Sequence, residues 1–234
     1  MKDSIIIGLL QNVAILISFT MLYEKFWIQK QDSKNIWHKI YIGFFLGAIG
    51  ILLMYTPWHL TKGIVFDTRS VLISISGLFI GTVPTLVLMI ITAVGRLIIG
   101  GAGQWMGVAV IVSSGAIGLL WRHFRPNWKN GNYYLEMLIM GFAVHAVMAG
   151  CTIFLPSESF LPTLKKITIP LIIIYSPATM LLGLVMLRHY ENWQNRLAQI
   201  KLREREQMLY KILESGNIIS LILNLNHGVI NSLV

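Results

Sequence analysis

Residues Phe66 to Gly107 read FDTRSVLISISGLFIGTVPTLVLMIITAVGRLIIGGAGQWMG, and the division of this stretch decides the fold. Arg69 and Arg96 stand at the ends of a long apolar run, Gly81-Thr82-Val83-Pro84 interrupts it, and Gly100, Gly101, Gly103 and Gly107 follow the second arginine. Drawn as one straight helix, Val71–Ile99 would measure about 43 Å, against about 30 Å of bilayer hydrocarbon. The run is too long for one crossing.

The 234 residues are 55% hydrophobic and only 12% charged, a balance that a water-soluble domain has too little polar surface to accommodate. The chain reads as an all-α, polytopic membrane protein. Its first apolar run, Ser4–Tyr23, is long enough to span and ends without the small-residue site of a signal peptide, so it counts as a membrane helix. The net charge of +9 sits in loops between apolar runs, a distribution that sets topology and gives no reason to expect nucleic acid as a partner. Cys151 is the lone cysteine and forms no internal disulfide.

Six hydropathy peaks fall at Ser4–Tyr23, Ile40–Tyr55, Val71–Ile99, Trp105–Leu120, Tyr134–Leu155 and Ile167–Leu187. Lys25, Lys30, Lys34 and Lys39 place the first loop in the cytoplasm, and Arg122, Arg125 and Lys129 do the same for the loop before Tyr134. Between these cytoplasmic loops the number of crossings must be even. Ile40–Tyr55 and Trp105–Leu120 supply two, with the Thr56–Arg69 loop outside, so Val71–Ile99 supplies none or two. A hairpin of two short or tilted helices broken at Gly81–Pro84 satisfies this, because proline removes a backbone donor and glycine weakens a helix. The expected topology is seven passes through the cell inner membrane, N-terminus outside and C-terminus cytoplasmic. Lys165 and Lys166, on an outside loop in this scheme, count against it. The hairpin brings Arg69 and Arg96 to the same outer side.

Residues 1–187 therefore form a membrane domain. From Arg188 to Glu214 charge is dense, and Trp193, Leu197, Ile200, Met208, Ile212 and Leu213 recur at helical spacing, which predicts a cytoplasmic amphipathic linker helix that pairs with its twin in a homodimer. In residues 215–234 β-branched and apolar residues flank Asn226-His227-Gly228, which predicts a strand, a tight turn and a second strand. Two strands do not stand alone, so this segment reads as the truncated start of a soluble module.

A converging arginine pair suits a small carboxylate, since guanidinium forks bind carboxylates bidentately and a charge in a membrane segment marks a ligand site by default. The competing reading pairs Asp67 with one arginine and lets the other reach the headgroups; Asp67 cannot neutralise both. Gly100, Gly101, Gly103 and Gly107 read by themselves as a tight turn with close helix packing, the alternative being that they let backbone amides approach an anion, with Gly100, Gly101 and Gly103 as the candidate ligand-binding positions. Without a following Lys-Ser/Thr they are not a nucleotide loop. Gln104, Ser113 and Ser114 add polar groups; a membrane-helix serine usually bonds its own backbone, and these line a pocket only if that face turns inward. His145, among small residues and without a second metal ligand at helical spacing, reads as a packed, hydrogen-bonded histidine or a pH-sensitive one, with no metal. Gly81, Pro84 and Pro177 are candidate points of movement, and Trp193 and Leu197 candidate relay positions. No catalytic motif and no cofactor site stands in the chain.

Phe66-Asp67-Thr68-Arg69, Gly77-Leu78-Phe79-Ile80-Gly81 with Pro84, Gly95-Arg96-Leu97, Gly100-Gly101-Ala102-Gly103, Gly107 and Gly115 to Gly118 together resemble the LytS/YhcK-type (5TMR-LYT) membrane sensor domain over about Ile40–Leu187. The resemblance implies a bacterial receptor whose membrane domain feeds a histidine kinase, a GGDEF diguanylate cyclase or another cytoplasmic output. It also implies a small carboxylate such as pyruvate as ligand, at Arg69 and Arg96. The tail resembles the opening of a PAS domain. A rival likeness is the phosphoacceptor box of LytS-type kinases, with His227 four residues before Asn231-Ser232-Leu233, though the usual preceding proline is absent and Gly228 replaces an aromatic residue. The expected function is a signal-transduction receptor for a small anion; the alternative is a transporter or substrate-capture subunit.

Overall fold

The structure, a computed structural model, describes residues 12, 14–21, 35–55, 58–61 and 64–231. Most of Ser4–Tyr23, together with Lys25, Lys30, Lys34, Ser232 and Leu233, lies outside them. The chain divides into two compact units, Met1–His189 and Tyr190–Val234.

In the first unit α1 covers residues 14–21 and α2 covers Ile36–Tyr55. An antiparallel hairpin of β1 (Trp58–Thr61) and β2 (Ile64–Phe66), with Trp58 opposite Phe66, leads into α3 (Arg69–Phe79). Then come α4 (Thr82–Ile99), α5 (Gln104–Phe124), α6 (Tyr133–Gly150) and α7 (Ser157–Pro170). A π-helical segment, Leu171–Tyr175, joins α7 to α8 (Ser176–Asn231). The fold is thus a helical membrane bundle carrying one small hairpin. Five of the described helical stretches are long and apolar enough to cross a bilayer; α3 is not.

The third hydropathy peak is two helices, as its length requires, with unequal arms of 11 and 18 residues. Every residue of α3 is buried, and at 1.5 Å per residue it rises only about 16 Å, half the hydrocarbon thickness. The break is made by Gly81, whose φ of 107° closes off the helical path to residues with a Cβ. Pro84 does not break anything: it is the third residue of α4, where its missing N–H is unneeded.

Close approach of backbones holds these arms. α2 and α4 run parallel, Gly43 against Pro84 and Val87, Gly47 against Ile91, and Gly95 of α4 against Ile51 of α2. α3 meets α5 at Gly77 and Gly118, where a Cβ on Gly77 would stand 2.9 Å from the Leu119 nitrogen. In lipid, where burial of apolar surface gives helices little drive to associate, such small-residue contacts gain van der Waals packing instead. At the far end of α3, Arg122 Nη1 donates to the Phe79 carbonyl at 3.2 Å, a cation on the negative end of a helix. The Phe79 ring packs edge-on against buried Trp128, centroids 5.2 Å apart.

Three expectations need correction. The Thr56–Arg69 stretch contains a hairpin, whose strands of four and three residues are too short to show periodicity. Lys165 and Lys166 lie exposed on α7, which begins ten residues before the last hydropathy peak; they are not in a loop. Residues 217–231 are helix, not strand–turn–strand. The two described strands pair with each other, so the β pattern in this segment finds no partner among the described residues, and helix already formed upstream extends at the cost of one residue at a time. The 188–214 tract is helical, as its periodicity predicts.

Candidate functional site

The hairpin delivers the chain to Asp67, and Asp67 fixes the start of α3. One carboxylate oxygen accepts from the Arg69 backbone N–H at 2.9 Å and the other lies 3.2 Å from Arg69 Nη2, with both side chains more than nine-tenths buried. Arg69 Nη1 is buried without a hydrogen-bond partner among the described residues, and so is Thr68 Oγ1 beside it. A buried guanidinium N–H left unsatisfied costs roughly 1–3 kcal/mol or more, so the molecule bears a standing penalty here that an acceptor would remove.

Arg96 occupies the last turn of α4. Counted from Gly81, Arg69 lies 12 residues back and Arg96 15 residues on, heights of about 18 and 22 Å along two adjoining helices. The arms of the broken peak therefore bring the arginines to similar depth. Arg96 Nη1 donates to the Gly100 carbonyl at 2.9 Å, which is turned to receive it because Gly100 leaves the helix at φ 67°. The rest of the side chain lies over Gly103 and Gly107 of α5. Arg96 is within electrostatic reach of both Arg69 and Asp67. Two guanidiniums and one carboxylate leave the group with a net charge of one positive.

A polar wall from α6 and the π segment adjoins this group. His145 lies 2.7 Å from the Gly141 carbonyl through Nδ1 and 3.2 Å from Ser70 Oγ through Nε2. A carbonyl only accepts, so Nδ1 carries the hydrogen, and in the neutral ring Nε2 accepts from the Ser70 hydroxyl. Packed hydrogen bonding is thus the observed state of His145. Its ring is 5.4 Å from that of Tyr175. Tyr175 is 1% exposed, its hydroxyl has no partner among the described residues, and it lies within electrostatic reach of Asp67.

The other proposed residues fall differently. Gly100, Gly103 and Gly107 serve Arg96, the first through its carbonyl and the others by leaving room. Gly101 is exposed, and a Cβ there would meet nothing within 4 Å. Gln104 approaches Gly100, its Oε1 3.9 Å from where a Cβ would stand. Ser113 bonds back to the Val110 carbonyl at 3.2 Å and faces Cys151 Sγ at 3.8 Å. Ser114 is wholly buried, its hydroxyl without a partner among the described residues. Pro177 is the second residue of α8, one past Ser176 after the π segment, where it withholds an α-helical donor. Trp193 and Leu197 are half-buried amid exposed neighbours on α8. Thr68 and Tyr175 were not singled out as ligand-facing by sequence reasoning; adjacency to Arg69 pointed to Thr68, whereas nothing in the local sequence links Tyr175 to a residue more than a hundred positions away.

A family model described as 5TMR of 5TMR-LYT matches residues 20–189. No curated protein and no solved structure matches the chain.

Proposed function

Because the chain belongs to the 5TMR-LYT family, whose domain is the membrane sensor of signalling receptors, we propose that Arg69 and Arg96 bind a small monocarboxylate such as pyruvate and that its occupancy is passed along α8 to a cytoplasmic output, a histidine kinase or a diguanylate cyclase. The observation that carries this reading is Arg69 Nη1, buried and without a partner among the described residues, within electrostatic reach of a second guanidinium. One net positive charge matches one carboxylate. A monoanion neutralises the group, whereas a dianion would leave an unpaired charge in a low-dielectric site.

In this scheme the N-terminus and the arginines face outward in the inner membrane, the Arg122 end of the bundle faces the cytoplasm, and seven passes result when α1 and the half-length α3 are counted. The α8 helices pair in a homodimer. The ligand shifts the receptor only through different affinities for two arrangements of the broken helix pair against α5 and α6.

Transport is the second reading, and one observation favours it: a half-length buried helix starting at polar groups inside the bundle is how transporters build central sites. Proteoliposomes with labelled pyruvate separate the two. The receptor reading predicts saturable binding without accumulation in the lumen; counterflow of label against a pyruvate gradient contradicts it.

A further inference from the structure

Resting on the arginine-site reading, we propose that Tyr175 is the residue through which the site addresses the helix that leaves the membrane: its hydroxyl donates to the bound anion, and the π-helical segment that carries it is the joint that responds.

Three independent features meet at this residue. The first is the orphaned hydroxyl. A tyrosine 1% exposed ordinarily finds an acceptor for its O–H, yet this one has none among the described residues, and it stands on the same buried wall as His145 and Ser70, the residue next to Arg69. Arg69 Nη1, Thr68 Oγ1 and Tyr175 OH are all buried polar atoms without partners among the described residues, and all three can donate. An anion, which only accepts, suits three such donors.

The second feature is the backbone. Leu171–Tyr175 is wound as π-helix between Pro170 and Pro177. Pro177 supplies no N–H to the turn before it. Ser176 Oγ donates to the Leu171 carbonyl five residues back at 3.4 Å, and Thr179 Oγ1 donates to the Tyr175 carbonyl at 2.9 Å. Side-chain hydroxyls thus add hydrogen bonds to the carbonyls at the two ends of the π segment, Leu171 and Tyr175. Single π turns inside helices concentrate at functional positions. Moving one residue into or out of such a turn changes the register of the downstream helix by one position, about 100° of rotation and 1.5 Å of rise.

The third feature is position. Tyr175 is the last residue of the π segment and Ser176 the first of α8. A hydrogen bond gained at the Tyr175 hydroxyl therefore acts on the turn that fixes the register of the signalling helix, whereas Arg69 and Arg96 hold the anion from α3 and α4. On this assignment the arginines give affinity and Tyr175 gives the response.

The test uses the full chain in nanodiscs and four probes: formate, acetate, lactate and pyruvate. Binding is measured by calorimetry, and backbone response by hydrogen–deuterium exchange of peptides covering residues 164–190. For the best-binding probe, Tyr175→Phe is expected to weaken binding about tenfold, the loss of one hydrogen bond to a charged group. At saturation it should also abolish the ligand-induced change in exchange seen in the unaltered chain. Its thermal midpoint without ligand should not fall, because no existing hydrogen bond is removed. Unaltered affinity and exchange response in Tyr175→Phe, with Arg96→Ala unable to bind, overturn this inference and leave the arginine site standing. Normal binding by Arg69→Ala and Arg96→Ala, or no binding of any probe to the unaltered chain, overturns both.

Discussion

Arg96 lies where Gly107 has no side chain. A Cβ on Gly107 would stand 2.6 Å from Arg96 Nε and 2.9 Å from its Cγ, so the α4 guanidinium reaches its place only because α5 is bare at that position. Gly107→Ala should weaken monocarboxylate binding at least tenfold by displacing Arg96, and Gly107→Val further, with both charges still present. Calorimetry on the two variants checks this; equal affinity in all three proteins would show that the slot does not position the guanidinium.

Gly81 sets the depth of both arginines, since α3 and α4 are measured from it. At φ 107° a side chain strains the backbone, and a Cβ there would also approach Arg122 Nη1 to 3.2 Å. Gly81→Ala should cost about 1–3 kcal/mol, read as a lowered thermal midpoint in detergent. Thr82→Ala, one residue into the helix, should shift it much less.

The proposed orientation puts the basic Arg122 end in the cytoplasm. In a Cys151→Ser background, Ala102→Cys should react with a membrane-impermeant maleimide on intact cells, and His123→Cys only after permeabilisation. Both positions are exposed, so the reversed pattern would mean that the bundle is inserted the other way up.

The apolar positions of α8 are open in the single chain: Ile200 is 50% exposed, Met208 65% and Ile212 58%. The proposed homodimer covers this stripe with the second copy's helix. Oxidation of Leu197→Cys in membranes should yield a covalent dimer in high proportion, and Ala198→Cys, about 100° around the helix, markedly less. Equal yields at both positions contradict a fixed seam.

How much of this could be read from the residues varies with the range of the interaction. The broken third peak was legible because length, loop charge and Gly81 pointed the same way, and each is local. The pairing of Asp67 with Arg69 was foreseeable from a separation of two residues. Gly103 and Gly107 were legible as small-residue packing or as amides open to an anion, but not as room for Arg96, since which side chain fills a bare stripe depends on the neighbouring helix. Tyr175 and His145 could not be linked to Arg69 from sequence at all, because their proximity arises from packing across more than seventy intervening residues. The tail went wrong for the opposite reason. Alternation in residues 217–231 is a tendency of the local chain, and strands need partners that the segment does not supply.

The central claim is that Arg69 and Arg96 together hold one monocarboxylate. The most direct measurement is equilibrium binding of labelled pyruvate to the purified chain and to Arg69→Ala, Arg96→Ala and Arg96→Lys. The account predicts one site per chain and loss of binding in both alanine variants, about a hundredfold or more for a charge-assisted pair. It predicts partial retention in Arg96→Lys, which keeps the charge without the fork. Full affinity in either alanine variant would contradict it.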